Sequence, residues 1–273
     1  MSVERQQQLA ARNAAAGQRV DAMVAGGVID EDGARMEARA RGEPAEFAFG
    51  AHRFRIPLQY FWSQSAPARD TPRQDINLNL QWPCLEPLPL GHDYANVRDT
   101  SLRAIWISLS YMPPDAPVSL AQAMDNRIMS SGFAGDPLYQ IALRLPGDPV
   151  HGLEPHYADL DAAAAHYEDT YGSPSSRENL LRIAKDWYVD RDADGRVTTV
   201  IKCSNHRLPD GAIVEGNTVR RSEPFQPLAW CHHDFALGQY SALASASYPR
   251  AYLGHWGRIE ERVRSLLHES LID

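Results

Sequence analysis

The chain lacks the sequence signatures of most enzyme classes and of membrane-spanning proteins. None of its apolar runs approaches the roughly 18 residues that a spanning helix needs. It contains no G-x-S-x-G elbow, no G-x-x-x-x-G-K-[ST] phosphate loop and no G-x-G-x-x-G segment after a predicted strand. The 27 basic residues are outnumbered by 35 acidic ones, for a formal charge of −8, whereas binding to nucleic acid needs a concentrated basic face. We therefore expect a globular protein that is not an enzyme, uses no cofactor, binds no nucleic acid and has no membrane span.

Cysteine is scarce, with three residues in 273. Cys203 and Cys231 each lie at the end of a predicted strand, and both ends face the same polar insert. We therefore predict a disulfide between them, which would stabilise the fold by roughly 3 to 4 kcal/mol in the chain-entropy model. Two half-buried free thiols are the alternative. Cys84 has no charged neighbour that would favour a thiolate, so nothing indicates a catalytic role for it.

Hydrophobic periodicity predicts an α+β fold with antiparallel sheets. Residues 75–82 alternate polar and apolar side chains with a period of two, which is typical of a half-buried strand. Short turns near Gly50, at 192–195 and at Gly238 join neighbouring strands into hairpins. The last residues have the three-and-four spacing of an amphipathic helix, which we expect to pack on the sheet. Predicted strands are 75–82, 102–112, 138–145, 185–189, 196–203, 228–235 and 240–248, and the helical stripe is Leu253, Trp256, Ile259, Val263, Leu266 and Leu267.

The chain divides by composition into two parts. Residues 1–42 are Ala-rich and polar and predict a helical N-terminal arm, and residues 43–273 form the α+β domain. A further division of that domain into sub-domains 43–146 and 147–273 is the alternative. No apolar signal segment follows Met1, so the protein either is cytosolic or has lost an export segment or N-terminal anchor upstream of Met1.

A metal-dependent hydrolase is the main catalytic alternative. His151, His156 and His166 lie in an acid-rich region, and His232 and His233 are adjacent in a predicted strand. The spacing argues against both sets, because no H-E-x-x-H occurs and neighbouring strand residues face opposite sides. Scattered surface polar residues explain the first set better than a metal site does. A structural component of a secretion or phage assembly is a further alternative.

Several short segments together carry a resemblance to a known group of proteins. They are FRIP at 54–57 with Tyr60-Phe61, LNLQWP at 78–83 with Leu85-Glu86-Pro87, IKC at 201–203, CHHDF at 231–235, and YPR at 248–250 with Leu253, Trp256 and Ile259. With these segments the chain resembles, over roughly residues 47–271, a group of bacterial proteins encoded beside type VI secretion lipase effectors, which act as the immunity proteins of those effectors.

This resemblance implies a periplasmic protein that binds one toxic lipase or phospholipase effector and occludes its active site without catalysis. The disulfide and the net negative charge are compatible with that role. Within the insert between the two cysteines, charged and aromatic side chains of the kind that interfaces use are the candidate contacts. They are Arg207, Arg220, Arg221, Glu223 and Phe225. A surface loop without a partner is the alternative for this insert.

Overall fold

The computed structural model describes residues 41–61, 74–87, 102–129, 133–172 and 176–272, so most of the predicted arm at 1–42 lies outside the described residues. The described helices are α1 (Leu120–Ile128), α2 (Leu160–Tyr171), α3 (Arg177–Ile183) and α4 (Trp256–Ser270). The strands are β1 (Pro44–Phe49), β2 (His52–Pro57), β3 (Asp75–Gln81), β4 (Ala104–Tyr111), β5 (Leu145–Pro146), β6 (Glu154–Tyr157), β7 (Lys185–Arg191), β8 (Val197–Ser204), β9 (Ala212–Glu215), β10 (Thr218–Arg221), β11 (Trp230–Leu237) and β12 (Ala242–Pro249). None of the described helices is long and apolar enough to cross a membrane.

Eight strands form one sheet in the order β3-β4-β12-β11-β8-β7-β6-β5, and every neighbouring pair is antiparallel. The pairs β1–β2 and β9–β10 form separate hairpins. The predicted antiparallel sheet and C-terminal helix are thus confirmed. Strands from both 43–146 and 147–273 belong to the large sheet, and the domain boundaries themselves stay a prediction.

One predicted strand is wrong. Within residues 138–145, Ile141–Leu143 forms a 3-10 turn, and only Leu145–Pro146 pairs with β6. Backbone groups of this segment form hydrogen bonds with side chains instead of with a neighbouring strand. The Asp136 carboxylate accepts a hydrogen bond from the Leu138 amide (2.8 Å), and the Arg144 guanidinium donates to the Leu138 carbonyl (2.9 Å). Because these groups already have partners, the segment folds without a strand partner.

One face of the sheet is covered by α4 and by the β1–β2 hairpin. The hairpin contributes aromatic residues such as Phe47 and Phe54, and α4 contributes the fully buried Ile259, Val263 and Leu267. Burial of each such side chain is worth about 1.5 to 3 kcal/mol. Trp256, at the start of α4, is only half-buried, because its indole Nε1 reaches out to donate to the His151 carbonyl (3.0 Å). The apolar stripe predicted from the sequence is therefore the face that packs on the sheet.

A buried polar network joins α4 to the sheet beneath it. The Glu260 carboxylate accepts hydrogen bonds from Thr199 (2.5 Å) and Arg264 (3.0 Å) and lies 3.0 Å from the His233 ring, which in turn contacts the Tyr248 hydroxyl (3.1 Å). Burial acts to raise the pKa of Glu260, but the hydrogen bonds from His233, Thr199 and Arg264 outweigh it and hold that pKa below its usual value. The network therefore favours the ionised carboxylate and fixes the helix in register.

Helix α1 covers part of the opposite face. Its N-terminus is a capping box in which Ser119 accepts from the Gln122 amide, and the Gln122 side chain accepts from the Ser119 amide. Met124 and Ile128 then pack on residues of β7, β8 and β12. On the same face the ammonium of Lys202 lies 3.9 Å from the centre of the Trp187 ring. Burial lowers the pKa of Lys202 to about 8.

Candidate functional site

The insert between β8 and β11 is closed at its base by the predicted disulfide. Cys203 and Cys231 are direct partners in the antiparallel register, both are buried, and their sulfur atoms are bonded at 1.98 Å. The two cysteines are 28 residues apart in sequence. The insert between them carries the β9–β10 hairpin, whose Ala212 and Val219 are buried in the main core.

Arg250, just after β12, anchors the first part of this insert. Its guanidinium donates to the Asp210 carboxylate (2.6 Å), to the Ser204 carbonyl (2.8 Å) and to the Leu208 carbonyl. The side chain is 9% exposed, so these bonds lie largely out of water. At Gly211 the backbone has φ +68°, and an added Cβ would lie 2.2 Å from the Pro227 carbonyl oxygen. The two ends of the insert are therefore in close contact, and only glycine fits between them.

Asp186, on the interior strand β7, also holds the start of this insert. This fully buried carboxylate accepts from the His206 amide (2.5 Å), lies 2.8 Å from the His206 ring nitrogen and accepts from the Ala158 amide (3.3 Å). His206 also packs edge-on against Tyr157 at the end of β6. The start of the insert thus lies beside the end of β6 and the start of α2.

The five predicted contact residues are spread along this anchored insert. Arg221 and Phe225 meet, with the guanidinium 5.4 Å from the ring centre, and Phe225 is 73% exposed. Arg220 pairs with Glu215 across the hairpin at 3.3 Å. Arg207 and Glu223 are exposed at other points of the insert. Arginine and aromatic side chains in contact with one another are common in protein interfaces. The role of these five residues in binding stays a prediction.

A second exposed surface, which the sequence patterns did not predict, lies at the β5–β6 edge. Its support is Arg144, which donates to the carbonyls of Lys185 (2.7 Å), His156 (3.1 Å) and Leu138 while its guanidinium lies over the Trp187 ring at 4.1 Å. Burial lowers the pKa of Arg144 to about 10. This one side chain therefore fastens the segment 133–145 to strands β6 and β7.

Four aromatic rings form two packed pairs on that segment and on α2. Phe133 stacks on Tyr139 at 4.4 Å, and Tyr167 packs against Tyr171 at 5.4 Å. Burial, first, and then the neighbouring Asp136 and Tyr139 raise the pKa of the Tyr167 hydroxyl, so the second pair lies near the first. Phe133, Tyr139 and Tyr171 are 48%, 39% and 64% exposed. We call Phe133, Tyr139, Tyr167 and Tyr171 the aromatic row.

The segment that carries the aromatic row has a large excess of acidic over basic residues. Residues 133–172 contain seven acidic residues and one basic residue, Arg144, so they carry −6 of the formal −8. Arg144 is buried, whereas Asp161, Glu168 and Asp169 on α2 are exposed. The net charge counted segment by segment reveals this acidic surface, whereas the net charge of the whole chain does not.

The histidines of the catalytic alternative are dispersed. His151 lies next to Gly254, His156 is half-buried on β6 with its pKa lowered by burial, and His166 packs beside Tyr167. On β11, His232 is exposed and His233 is buried, as expected for neighbours in a strand. Within the described part of the chain, no group of three or more His, Cys, Asp or Glu side chains is placed to hold a metal ion.

One hydroxyl–imidazole pair lies on the open face of the sheet. The Ser247 hydroxyl and the His232 Nδ1 atom are 2.9 Å apart, and partial desolvation of the imidazole, together with the nearby Lys185, lowers the pKa of His232 although the residue is exposed. Such a pair is one element of a nucleophilic site. Catalysis also needs a group that orients the imidazole and donors for the developing oxyanion. The pair by itself therefore does not define a catalytic site.

The fold is similar to that of Smlt3025, an immunity protein of the Stenotrophomonas maltophilia type IV secretion system. The two chains are 27% identical with a TM-score of 0.70, and the match covers 85% of this chain and 94% of Smlt3025. A second solved structure, the iron-regulated outer membrane lipoprotein FrpD of Neisseria meningitidis, has 9% identity and a TM-score of 0.42 over 85% of this chain and 94% of FrpD, and it carries no argument about function. No protein-family model and no curated protein matches the chain.

Proposed function

We propose that this protein is an immunity protein, which binds a toxic effector of a bacterial secretion system and blocks it without catalysis. The observation that carries the proposal is the likeness to Smlt3025, with 27% identity and a TM-score of 0.70 over nearly the whole of that chain. The likeness to Smlt3025 includes both the fold and the sequence. The resemblance of the short sequence segments also implies an immunity protein.

The target and its delivery route rest on narrower support. The sequence resemblance implies a lipase or phospholipase effector of a type VI system, whereas the structural neighbour belongs to a type IV system. We propose a lipase or phospholipase as the target, with its active site occluded by the bound immunity protein. Direct assay of the toxin's lipid hydrolysis tests the target class separately from the delivery route.

The periplasm is the proposed place of action. The disulfide at the base of the insert is buried, and such structural bridges persist in oxidising compartments. An immunity protein against a toxin that attacks lipids from the periplasm has to bind that toxin in the periplasm. In this proposal the anchored insert supplies contacts through Arg207, Arg220, Arg221, Glu223 and Phe225.

A protection assay in cells tests the proposal. The toxin-like protein encoded beside this chain's gene is directed to the periplasm of a susceptible bacterium, together with this chain fused to an export signal. We expect survival with the exported chain and death when the same chain is kept in the cytoplasm. Equal killing with both versions, at equal amounts of folded protein, would overturn the proposal.

A further inference from the structure

We infer that the aromatic row and the carboxylates beside it are the main docking surface for the effector, and that the effector presents a basic face to it. This inference rests on the proposed function and deepens it, because it names the surface and the charge of the partner. The occupant is the effector, not a second copy of this chain.

The aromatic row has the composition of an interface centre. Tyrosine and phenylalanine bury large areas for a small loss of side-chain entropy, and they are enriched where truncation weakens binding most. Three of the four rings are between 39% and 64% exposed in the free chain, so a partner that covers them removes a large apolar area from water. Exposed aromatic clusters of this kind are uncommon on a surface that contacts only solvent.

The support beneath the row is rigid. Arg144 and Asp136 are 5% and 3% exposed, and both hold the backbone of the segment that carries Phe133 and Tyr139. On the other side, Tyr167 and Tyr171 lie on α2, which packs on α3 and on Leu138 through a small apolar cluster. Side chains that are already ordered lose little freedom on binding, which favours affinity.

The charge around the row decides what binds there. The segment 133–172 carries −6, and the exposed carboxylates of Glu168 and Asp169 lie on the same helix as Tyr167 and Tyr171. Asp161, at the start of that helix, is paired with Arg177 at 3.2 Å. Lysine and arginine side chains of a partner gain from these carboxylates and also from the faces of the tyrosine rings. Two copies of this surface would bring like charges together, which argues against a symmetric dimer through it.

The start of the insert reaches the beginning of α2, about two helical turns before Tyr167. The buried Asp186 carboxylate binds both His206, next to Arg207, and the Ala158 amide, just before α2 begins. The insert is close to neutral, because its three arginines are matched by Asp210, Glu215 and Glu223. A basic effector is therefore attracted mainly to the aromatic row, with the insert at its border.

Binding of the toxin-like protein encoded beside this gene to the full-length oxidised chain tests the inference. We expect Phe133→Ala with Tyr171→Ala to weaken the equilibrium binding by about 30-fold or more. Glu168→Lys with Asp169→Lys should slow association about 10-fold and reduce its dependence on salt. The matched controls are Ile272→Ala, an exposed apolar residue, and Glu261→Lys, an exposed acidic residue on α4, and each should stay within about twofold of wild type.

The outcomes separate the two proposals. If the wild-type chain does not bind the toxin, the proposed function fails and this inference fails with it. If the wild-type chain binds and the aromatic and charge variants behave like the controls, only the inference is overturned. A photo-crosslinking residue at position 171, which is exposed and leaves the fold intact, should capture the toxin, and the same residue at position 261 should not. Capture of a second copy of this chain at 171 would also overturn the inference.

Discussion

Removal of the bridge between Cys203 and Cys231 gives the sharpest test of the fold's energetics. The bridge closes a loop with a sequence separation of 28 residues. In the chain-entropy model, a loop of that length restricts the unfolded chain by about 3.5 kcal/mol at 25 °C. For a domain of this size, that loss corresponds to a fall in melting temperature of about 10 °C.

The assay is equilibrium unfolding in urea, with and without a strong thiol reductant. We expect a lower midpoint in reductant, because the native contacts are the same and the unfolded chain has gained freedom. Cys84→Ser is the matched control, since Cys84 is an exposed free thiol, and this variant should show the same difference between oxidised and reduced protein. Equal midpoints for the oxidised and reduced wild-type protein would refute the reasoning.

Three further predictions concern the packing of α4 and the open face. Glu260→Gln should cost about 3 kcal/mol in the free energy of unfolding at pH 7, because charge-assisted bonds such as that with His233 weaken. Because the pKa of Glu260 is lower in the folded state, the wild-type free energy of unfolding should fall as the pH drops through that pKa. Urea unfolding at a series of acidic pH values should show a smaller fall for the variant. Lys202→Met should raise the free energy of unfolding at pH 7 by about 1 to 2 kcal/mol, because the pKa of Lys202 is lowered to about 8 by burial. The wild-type free energy of unfolding should rise as the pH increases from about 8 towards 10.5, the ordinary pKa of lysine, and the variant should lack this rise. The same pH dependence in both proteins would contradict the lowered pKa of Lys202. Ile259→Ala should cost about 3 kcal/mol and Trp256→Ala about 2 kcal/mol, since Trp256 is half-buried, and the reverse order in thermal unfolding would contradict the packing of α4.

Elements whose stability is local could be predicted from the sequence. The period-two alternation of β3 matches its buried Ile76 and Leu78. The turn at 192–195 also forms as expected, with Gly195 at φ +79°. In each case the residues that decide the conformation lie within a few positions of one another.

Contacts between distant residues could not be predicted in this way. Arg250 anchors Asp210 from 40 positions away, and Arg144 holds the carbonyl of Lys185 from 41 positions away. The error at 138–145 has this origin, because the apolar pattern suggested a strand while Arg144 and Asp136 satisfied its backbone. Charged residues in an otherwise apolar segment were a sign that the segment is not a strand. Only the folded chain shows which backbone groups these residues reach.

The candidate site divides in the same way. The disulfide followed from two strand ends that face one insert, and the structure contains it. The aromatic row could not be predicted because its members come from two segments about 30 residues apart, which meet through Leu138 and beside Asp136. Its charge, by contrast, is a local property of residues 133–172 and is visible in the sequence.

Calorimetric titration of the oxidised chain against the toxin-like product of the adjacent gene is the most direct measurement. We predict a one-to-one complex of nanomolar affinity in which hydrolysis of lipid by the toxin is lost in proportion to the complex formed. A toxin that remains fully active at saturating concentrations of the folded chain, or heat signals no greater than those of dilution, would contradict the assignment as an immunity protein.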